Sequence, residues 1–337
     1  MTDEMTVLDI IERTNKRRDA RRAFMRMAGG AAALVGGASL LSACGDDDDQ
    51  VVVAPVPVAN PATPTDADVL NFALQLEYLE AQYYSYAAFG TGLNGSLLSG
   101  IGNQGGVITT AGATGTGVPR AVNFTTPIIA EYAREIAYDE IAHVTFLRGA
   151  LGAAVAAQPQ INISGGAGGP FAAAATAAGV PGGSTFDPYA NENNFLLGAY
   201  IFEDVGVTAY KGAIGLIGNR TFVEAAAGIH AAEAYHAGLI RTVLYNRGLT
   251  VSDLRTAADL ISNARDSLDG SSDLDQGISG TATVSNIVPA DANAIAFSRN
   301  TNQVLHIVFL NATAGITSGG FFPSGVNGAI RVANANP

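Results

Sequence analysis

Four glutamates and two histidines lie inside apolar stretches of this sequence, where a charged side chain needs a partner. Glu140 and His143 stand three residues apart in one such stretch, and Glu233 and His236 repeat the spacing in another. Residues three apart on an α-helix project from the same face, so each pair can reach one ion. Burying an unpaired charge is costly, so the chain must fold in a way that compensates these groups.

The Glu-x-x-His spacing is too rare here to be attributed to chance. With 11 Glu and 4 His among 337 residues, about 0.13 such pairs are expected at random. The alternative is a set of satisfied helix-face histidines beside surface glutamates, which would require the coincidence twice. The repeated pair therefore indicates a functional site.

Apolar residues recur with helical spacing in four long segments. These run from residue 65 or 66 to about 90, from 126 to about 151, from about 193 to 218 and from 221 to about 245. Thr126 is a predicted N-cap, with Pro127 at the first helical position. Thr221-Phe222-Val223-Glu224 predicts a capping box at the start of the fourth helix. Four long amphipathic helices predict an all-α four-helix bundle.

The first and third predicted helices each carry a lone glutamate in an apolar run. One glutamate from each of two helices and one Glu-x-x-His pair from each of the other two form the ligand set of ferritin-like di-iron and di-manganese proteins. We therefore expect two metal ions, iron or manganese, because carboxylate and imidazole ligands suit both. The predicted ligands are Glu77, Glu140, His143, Glu203, Glu233 and His236.

Further polar residues near these positions have less certain assignments from spacing alone. Tyr84 follows Glu77 by seven residues and Tyr210 follows Glu203 by seven, so each phenol is predicted to lie near the face of its carboxylate, where it orients a ligand or a bridging water or is itself an extra ligand. Glu80 lies three residues after Glu77 and is an extra ligand, a proton relay or an exposed residue at the helix boundary.

Two histidines and two aspartates are weaker candidates. His230 precedes His236 by six residues and faces another direction, which favours a structural or ligand-orienting role. Asp139 and Asp204 each neighbour a predicted ligand; either can hold an imidazole from another helix, and a solvated charge is favoured. His306 is interpreted as a core or capping histidine.

Two segments carry a family resemblance. Residues 71–81, NFALQLEYLEA, and residues 202–210, FEDVGVTAY, resemble the ferritin-like domain proteins that include the desiccation-related proteins of plants and bacteria. The resemblance continues in residues 293–312 and 319–328 and covers about residues 66–330. It implies the bundle and metal ligands at the matching positions, and it implies no particular reaction.

The N-terminal 44 residues have the pattern of an export signal. Arg21 and Arg22 precede a short apolar, Gly- and Ala-rich stretch, which is typical of a twin-arginine signal. Leu41-Ser42-Ala43-Cys44 resembles a lipoprotein cleavage box, so Cys44 is the predicted lipid attachment site; an ordinary signal peptide with a chance cysteine is the alternative. The predicted location is the periplasm or cell envelope, on a lipid anchor.

The remaining chain divides into three parts. Residues 45–64 are rich in Asp and Pro and predict a solvated tether, residues 65–250 the bundle, and residues 251–337 a helical extension that packs on it. Helices are expected at about 252–268 and 301–313. The connection over residues 152–192 is long, as a ferritin-like bundle requires between its second and third helices.

Charge and architecture narrow the possible functions. Without residues 1–43, 11 Lys and Arg oppose 25 Asp and Glu, a net charge of about −14 that disfavours nucleic acid as a partner.

A two-metal site can act on dioxygen or peroxide, which predicts a redox enzyme in oxidative or desiccation stress. The alternative is a non-catalytic, stress-protective envelope protein that uses its metals structurally. A storage cage is disfavoured because a tether and large insertions obstruct closed assembly.

The lipid-anchor hypothesis predicts that Cys44→Ala releases the protein from the membrane fraction without changing its fold. Fractionation of cells and thermal melting of the released protein measure the two effects. A wild-type protein that is already soluble after cell breakage contradicts the hypothesis.

Overall fold

A computed structural model describes residues 59–109 and 117–336. The described chain contains seven α-helices, and its extended segments are joined only by isolated bridges. The helices are α1 (Asp66–Phe89), α2 (Pro127–Leu151), α3 (Pro170–Ala177), α4 (Glu192–Ile214), α5 (Arg220–Arg247), α6 (Ser252–Asp269) and α7 (Thr301–Val308). The all-α prediction, with four long helices and additional C-terminal ones, is confirmed. The predicted signal, Cys44 and the tether up to residue 58 lie outside the described residues.

The helix ends follow local capping rules, with two departures from expectation. Thr65 and Asp68 form a capping box at α1, and Gly90 ends that helix with a left-handed φ of 75°. The predicted capping box at Thr221 is wrong, because the side chain of Asn219 caps α5 by accepting from the Thr221 amide. The last helix ends earlier than residue 313, since Leu310 already takes a positive φ of 52°.

α1 packs against α2 and α4 against α5, and both α1 and α4 are buried on nearly all sides. The long crossover explains this for α1, because its polar residues bond to that segment. The Asn71 side chain donates to the Ala154 carbonyl and accepts from the Ala156 amide, and Gln82 donates to Gln158. The crossover therefore covers the outer face of α1 and satisfies its polar groups.

The C-terminal extension is attached to α4 by a buried ionic network. Asp204 accepts hydrogen bonds from Arg241 at 2.7 Å and Arg265 at 2.8 Å. Arg265 also contacts Asp275, which lies 2.9 Å from Arg299. The preference for a solvated Asp204 is wrong, because the residue is 4% exposed and is paired with Arg241 of α5 and Arg265 of the extension.

The ends of the described chain meet each other. The Asn60 side chain donates to the Val332 carbonyl and accepts from the Arg331 and Val332 amides. Residues 59–64, the last part of the predicted tether, therefore begin against the C-terminal segment. No helix in residues 59–109 or 117–336 combines the length and apolar character needed to cross a membrane.

Glu192 connects three long helices at one end of the bundle. Its carboxylate accepts from the amides of Thr125 and Thr126 at 3.0 and 2.9 Å, and from the Thr126 hydroxyl at 2.7 Å. Arg247 on α5 lies 2.8 Å away. Thr126 is thus the residue before α2, as expected, but its hydroxyl binds Glu192 instead of capping its own helix. Burial by itself raises the pKa of Glu192. The hydrogen bonds from Thr126, Thr125 and Arg247 outweigh this effect and lower the pKa to about 2.

Glu192→Gln is expected to lower the free energy of unfolding by about 2 kcal/mol, because charge-assisted hydrogen bonds to three elements are weakened. Since the folded state lowers the pKa of Glu192, the stabilisation is complete at neutral pH and is lost as the pH falls toward 2. Denaturant unfolding at several pH values measures it. Glu131→Gln, at an exposed position of α2, is the matched control; equal stability of the two variants at pH 7 contradicts the assignment.

Candidate metal centre

Six side chains from four helices converge in the interior of the bundle. α1 and α4 contribute one glutamate each, and α2 and α5 contribute a Glu-x-x-His pair each. They are the six predicted ligands Glu77, Glu203, Glu140, His143, Glu233 and His236. The glutamates are at most 1% exposed and His236 is 5% exposed, while the His143 side chain retains 12%. The structure therefore brings together all six residues that the sequence singles out.

The six side chains form two overlapping groups. Potential ligand atoms of Glu77, Glu140, His143 and Glu233 lie within 4.8 Å of one another, and those of Glu140, Glu203 and His236 do the same. Glu140 belongs to both, with Oε2 at 3.4 Å from His143 Nδ1 and Oε1 at 3.1 Å from His236 Nδ1. This arrangement suits two neighbouring cations that share the Glu140 carboxylate.

Within the described chain, eight buried polar atoms of this cluster have no hydrogen-bond partner. They are Glu77 Oε2, both carboxylate oxygens of Glu140 and of Glu233, Glu203 Oε2, and the Nδ1 atoms of His143 and His236. Buried polar atoms in proteins are almost always satisfied, so such a concentration requires an explanation. Carboxylate oxygens and imidazole nitrogens are donors that iron and manganese accept, and cations at this position would satisfy them. The residues present therefore fit a two-metal site.

Two buried tyrosines, one on α1 and one on α4, each donate a hydrogen bond to the lone glutamate of the other helix. The Tyr84 hydroxyl donates to Glu203 Oε1, and the Tyr210 hydroxyl donates to Glu77 Oε1. Each tyrosine thus contacts a predicted ligand, as expected, but that ligand belongs to the other helix and not to its own. Seven residues span about 10.5 Å along a helix, too far for a phenol to reach back, whereas the neighbouring helix lies within reach. Each glutamate then keeps its Oε2 atom directed into the cluster.

Asp139 holds the far side of one imidazole. Its Oδ2 atom lies 3.3 Å from His236 Nε2, so a proton on Nε2 leaves Nδ1 free to face the cluster. The preference for a solvated Asp139 is wrong in part: its side chain is 41% exposed, yet it reaches from α2 to a histidine on α5. Sequence spacing within one helix cannot reveal such a contact.

Glu80 and Gly206 adjoin the cluster. Glu80 is only 4% exposed, which excludes the exposed boundary position, although it belongs to neither ligand group. A side chain at position 206 would collide with Glu233 Oε2 and would come within 3.4 Å of Glu80 Oε1. Gly206 therefore makes room for two carboxylates. The one available sequence signal was a glycine inside an apolar helix, where glycine costs about 1 kcal/mol relative to alanine.

The other two histidines lie outside the cluster. His230 is partly buried on α5, burial lowers its pKa, and it joins neither ligand group. His306 is fully buried on α7, where its ring nitrogens lie 2.6 Å from the Asn311 carbonyl oxygen and 2.8 Å from that of Asn334. Its contacts fix the C-terminal segment, in agreement with the interpretation as a core histidine.

The electrostatics of the cluster favour bound cations or bound protons. Burial raises the pKa of Glu77 to about 7 and that of Glu203 to about 8. Burial and the charge of Glu140 raise the pKa of Glu233 well above its usual range. Against the effect of burial, Glu77 and Glu140 raise the pKa of His143 to about 11. Without cations, protons must therefore compensate the carboxylates.

Comparison with known proteins agrees with this geometry. Residues 65–246, more than half of the chain, match the model of the ferritin-like domain family. The matched range contains all six residues of the cluster.

Two relatives are similar over most of their length. A desiccation-related protein of Craterostigma plantagineum is 29% identical over 260 residues, which cover 72% of this chain and 76% of the relative. A ferritin-like catalase of Nesocodon mauritianus is 27% identical over 280 residues, covering 79% of this chain and 84% of the relative. No solved structure matches the chain significantly.

Stripping metal from the protein is expected to lower its melting temperature by several degrees at pH 8, and by less at pH 5. The folded state raises the pKa values of Glu77 and Glu203, so it binds more protons than the unfolded chain. Stability of the stripped protein therefore falls as the pH rises from about 4.5, the ordinary pKa of a glutamate, to about 8, whereas bound cations remove this dependence. Melting curves of chelated and reloaded protein measure the effect, and identical curves at every pH contradict a buried metal centre.

Proposed function

The chain belongs to the ferritin-like domain family, and we propose that it is a two-metal carboxylate protein that disproportionates peroxide. The proposal rests on eight buried carboxylate oxygen and imidazole nitrogen atoms that have no hydrogen-bond partner. They come from four helices and face one another. The similarity to a protein named ferritin-like catalase supports peroxide as the substrate. Dioxygen remains the alternative oxidant for the same centre.

Each of the two groups of ligand residues would bind one ion. One ion would be held by Glu77, Glu140, His143 and Glu233, and the other by Glu140, Glu203 and His236. Four carboxylates carry four negative charges, which two divalent ions balance. Two bound iron or manganese ions would supply the electron transfer that peroxide disproportionation needs.

The chain's own residues keep this centre rigid and open. Tyr84 and Tyr210 each occupy one oxygen of a lone glutamate, which leaves the other oxygen for an ion. Asp139 fixes the ring of His236 in the same way. The second group supplies three ligand residues where iron and manganese accept about six donors, so positions remain for water or peroxide.

A solvent-exposed groove between α2 and α5 gives polar substrates a route to the cluster. Tyr132, Glu135, Asp139 and His236 are among its lining residues, and its volume is about 660 Å³. His236 is the one lining residue that also belongs to the cluster. Peroxide would approach His236 along this groove, where Tyr132, Glu135 and Asp139 offer hydrogen bonds among mainly apolar neighbours.

A second candidate function is non-catalytic protection during drying. The similarity to a desiccation-related protein favours it, and the metals would then act as a structural clip. The two candidates differ in redox behaviour, because a structural clip holds its metals without turnover.

For location, we propose export by the twin-arginine route and a lipid anchor at Cys44 in the cell envelope. The support is the sequence of residues 21–44. The strongly acidic exported chain also supports the absence of a nucleic-acid partner.

Protein isolated from its native compartment is expected to contain about two iron or manganese ions per chain and to evolve dioxygen from hydrogen peroxide. Glu140→Gln removes the shared carboxylate, so we expect metal content to fall below about one ion per chain and turnover to fall at least 100-fold. Metal analysis and oxygen-electrode assays measure both, with Glu131→Gln as control.

Three results would separate the candidates. Two tightly held metals without turnover favour the protective function, and turnover of dioxygen without peroxide disproportionation favours an oxidase. Retention of two metals by Glu140→Gln refutes the assigned centre.

A further inference from the structure

A small apolar cavity borders the cluster beside Glu80 and Gly206. Its walls come from α1, α4, α7 and the C-terminal segment, and its volume is about 20 Å³. The lining includes Leu79 on α1, Val205 on α4, Ile307 and Val308 on α7, and Phe321, all of them at most 5% exposed. The cavity is therefore a feature of the packed interior.

Glu80 is the only polar side chain in the cavity wall, and it connects the cavity with the cluster. Gly206 also lines the cavity, and the space next to its α-carbon is shared by carboxylate oxygens of Glu80 and Glu233. The cavity thus ends one side chain away from a predicted metal ligand.

The chemistry of the lining selects the occupant. A volume of this size holds one water-sized molecule, but an ordered water needs two to four polar partners. Glu80 is the one side chain that can offer them, so a neutral apolar diatomic molecule is favoured over water or peroxide. Dioxygen has the required size and lacks strong hydrogen bonding.

We propose that this cavity is a dioxygen site of the metal centre, which receives the product as it forms. The inference rests on the proposed function: two hydrogen peroxide molecules give two waters and one dioxygen, one peroxide losing two electrons and two protons that the other gains. The product is apolar and partitions into the cavity, whereas peroxide needs hydrogen-bond partners that the cavity lining, apart from Glu80, does not offer. The C-terminal extension then forms part of the site, because α7 and Phe321 close it.

The direct test is to pressurise crystals of the wild-type protein with krypton, an apolar atom close in size to dioxygen. We expect one anomalous peak between Leu79, Val205 and Val308. Absence of krypton from the cavity overturns the proposal, and this result does not depend on whether the protein turns over peroxide.

A variant tests whether the cavity receives the product. Val308→Phe fills the cavity from α7, outside the four helices that carry the cluster, and Val284→Phe places the same substitution at an exposed position as control. We expect Val308→Phe to lose the krypton peak and to lower kcat about threefold or more, with unchanged KM for peroxide and unchanged metal content. Unchanged kcat in a variant that has lost krypton binding overturns the assignment of the cavity as the place that receives the product. Failure of the proposed function would appear separately, as wild-type protein that binds krypton but evolves no dioxygen.

Discussion

The repulsion between four buried carboxylates is the constraint on which the structure of this bundle depends. At about 4 Å and an effective dielectric constant of 20, each pair of like charges costs about 4 kcal/mol. Glu77, Glu140, Glu203 and Glu233 are all within the same dry core, so the folded chain is stable only if cations or protons accompany them. The two imidazoles, the crossed tyrosines and Asp139 arrange the donors so that cations are accommodated with little rearrangement.

The parts of the chain outside the bundle make this core dry. The crossover covers α1 and satisfies Asn71 and Gln82, which would otherwise need water near the cluster. The extension covers α4, and its Arg265, together with Arg241 of α5, pairs with Asp204, the direct neighbour of Glu203. Long insertions that look dispensable in a bundle thus set the dielectric environment of the site.

Local signals predicted the helices and the residues that converge on the centre. Helical periodicity located α1, α2, α4 and α5, and the Glu-x-x-His spacing selected pairs that the fold brings together. Contacts between helices were not accessible in this way. Three sets of contacts depend on which helices are neighbours. Tyr84 and Tyr210 bond to glutamates of each other's helix, Asp139 contacts His236, and Glu192 bonds to α2 and α5.

Anomalous diffraction at the iron and manganese absorption edges tests the central claim most directly, because it locates each ion and identifies the element. The account predicts two peaks about 3.5–4 Å apart, one among the donors of Glu77, Glu140, His143 and Glu233 and the other among those of Glu140, Glu203 and His236. A protein fully loaded with metal that shows no peak beside Glu140 would contradict it.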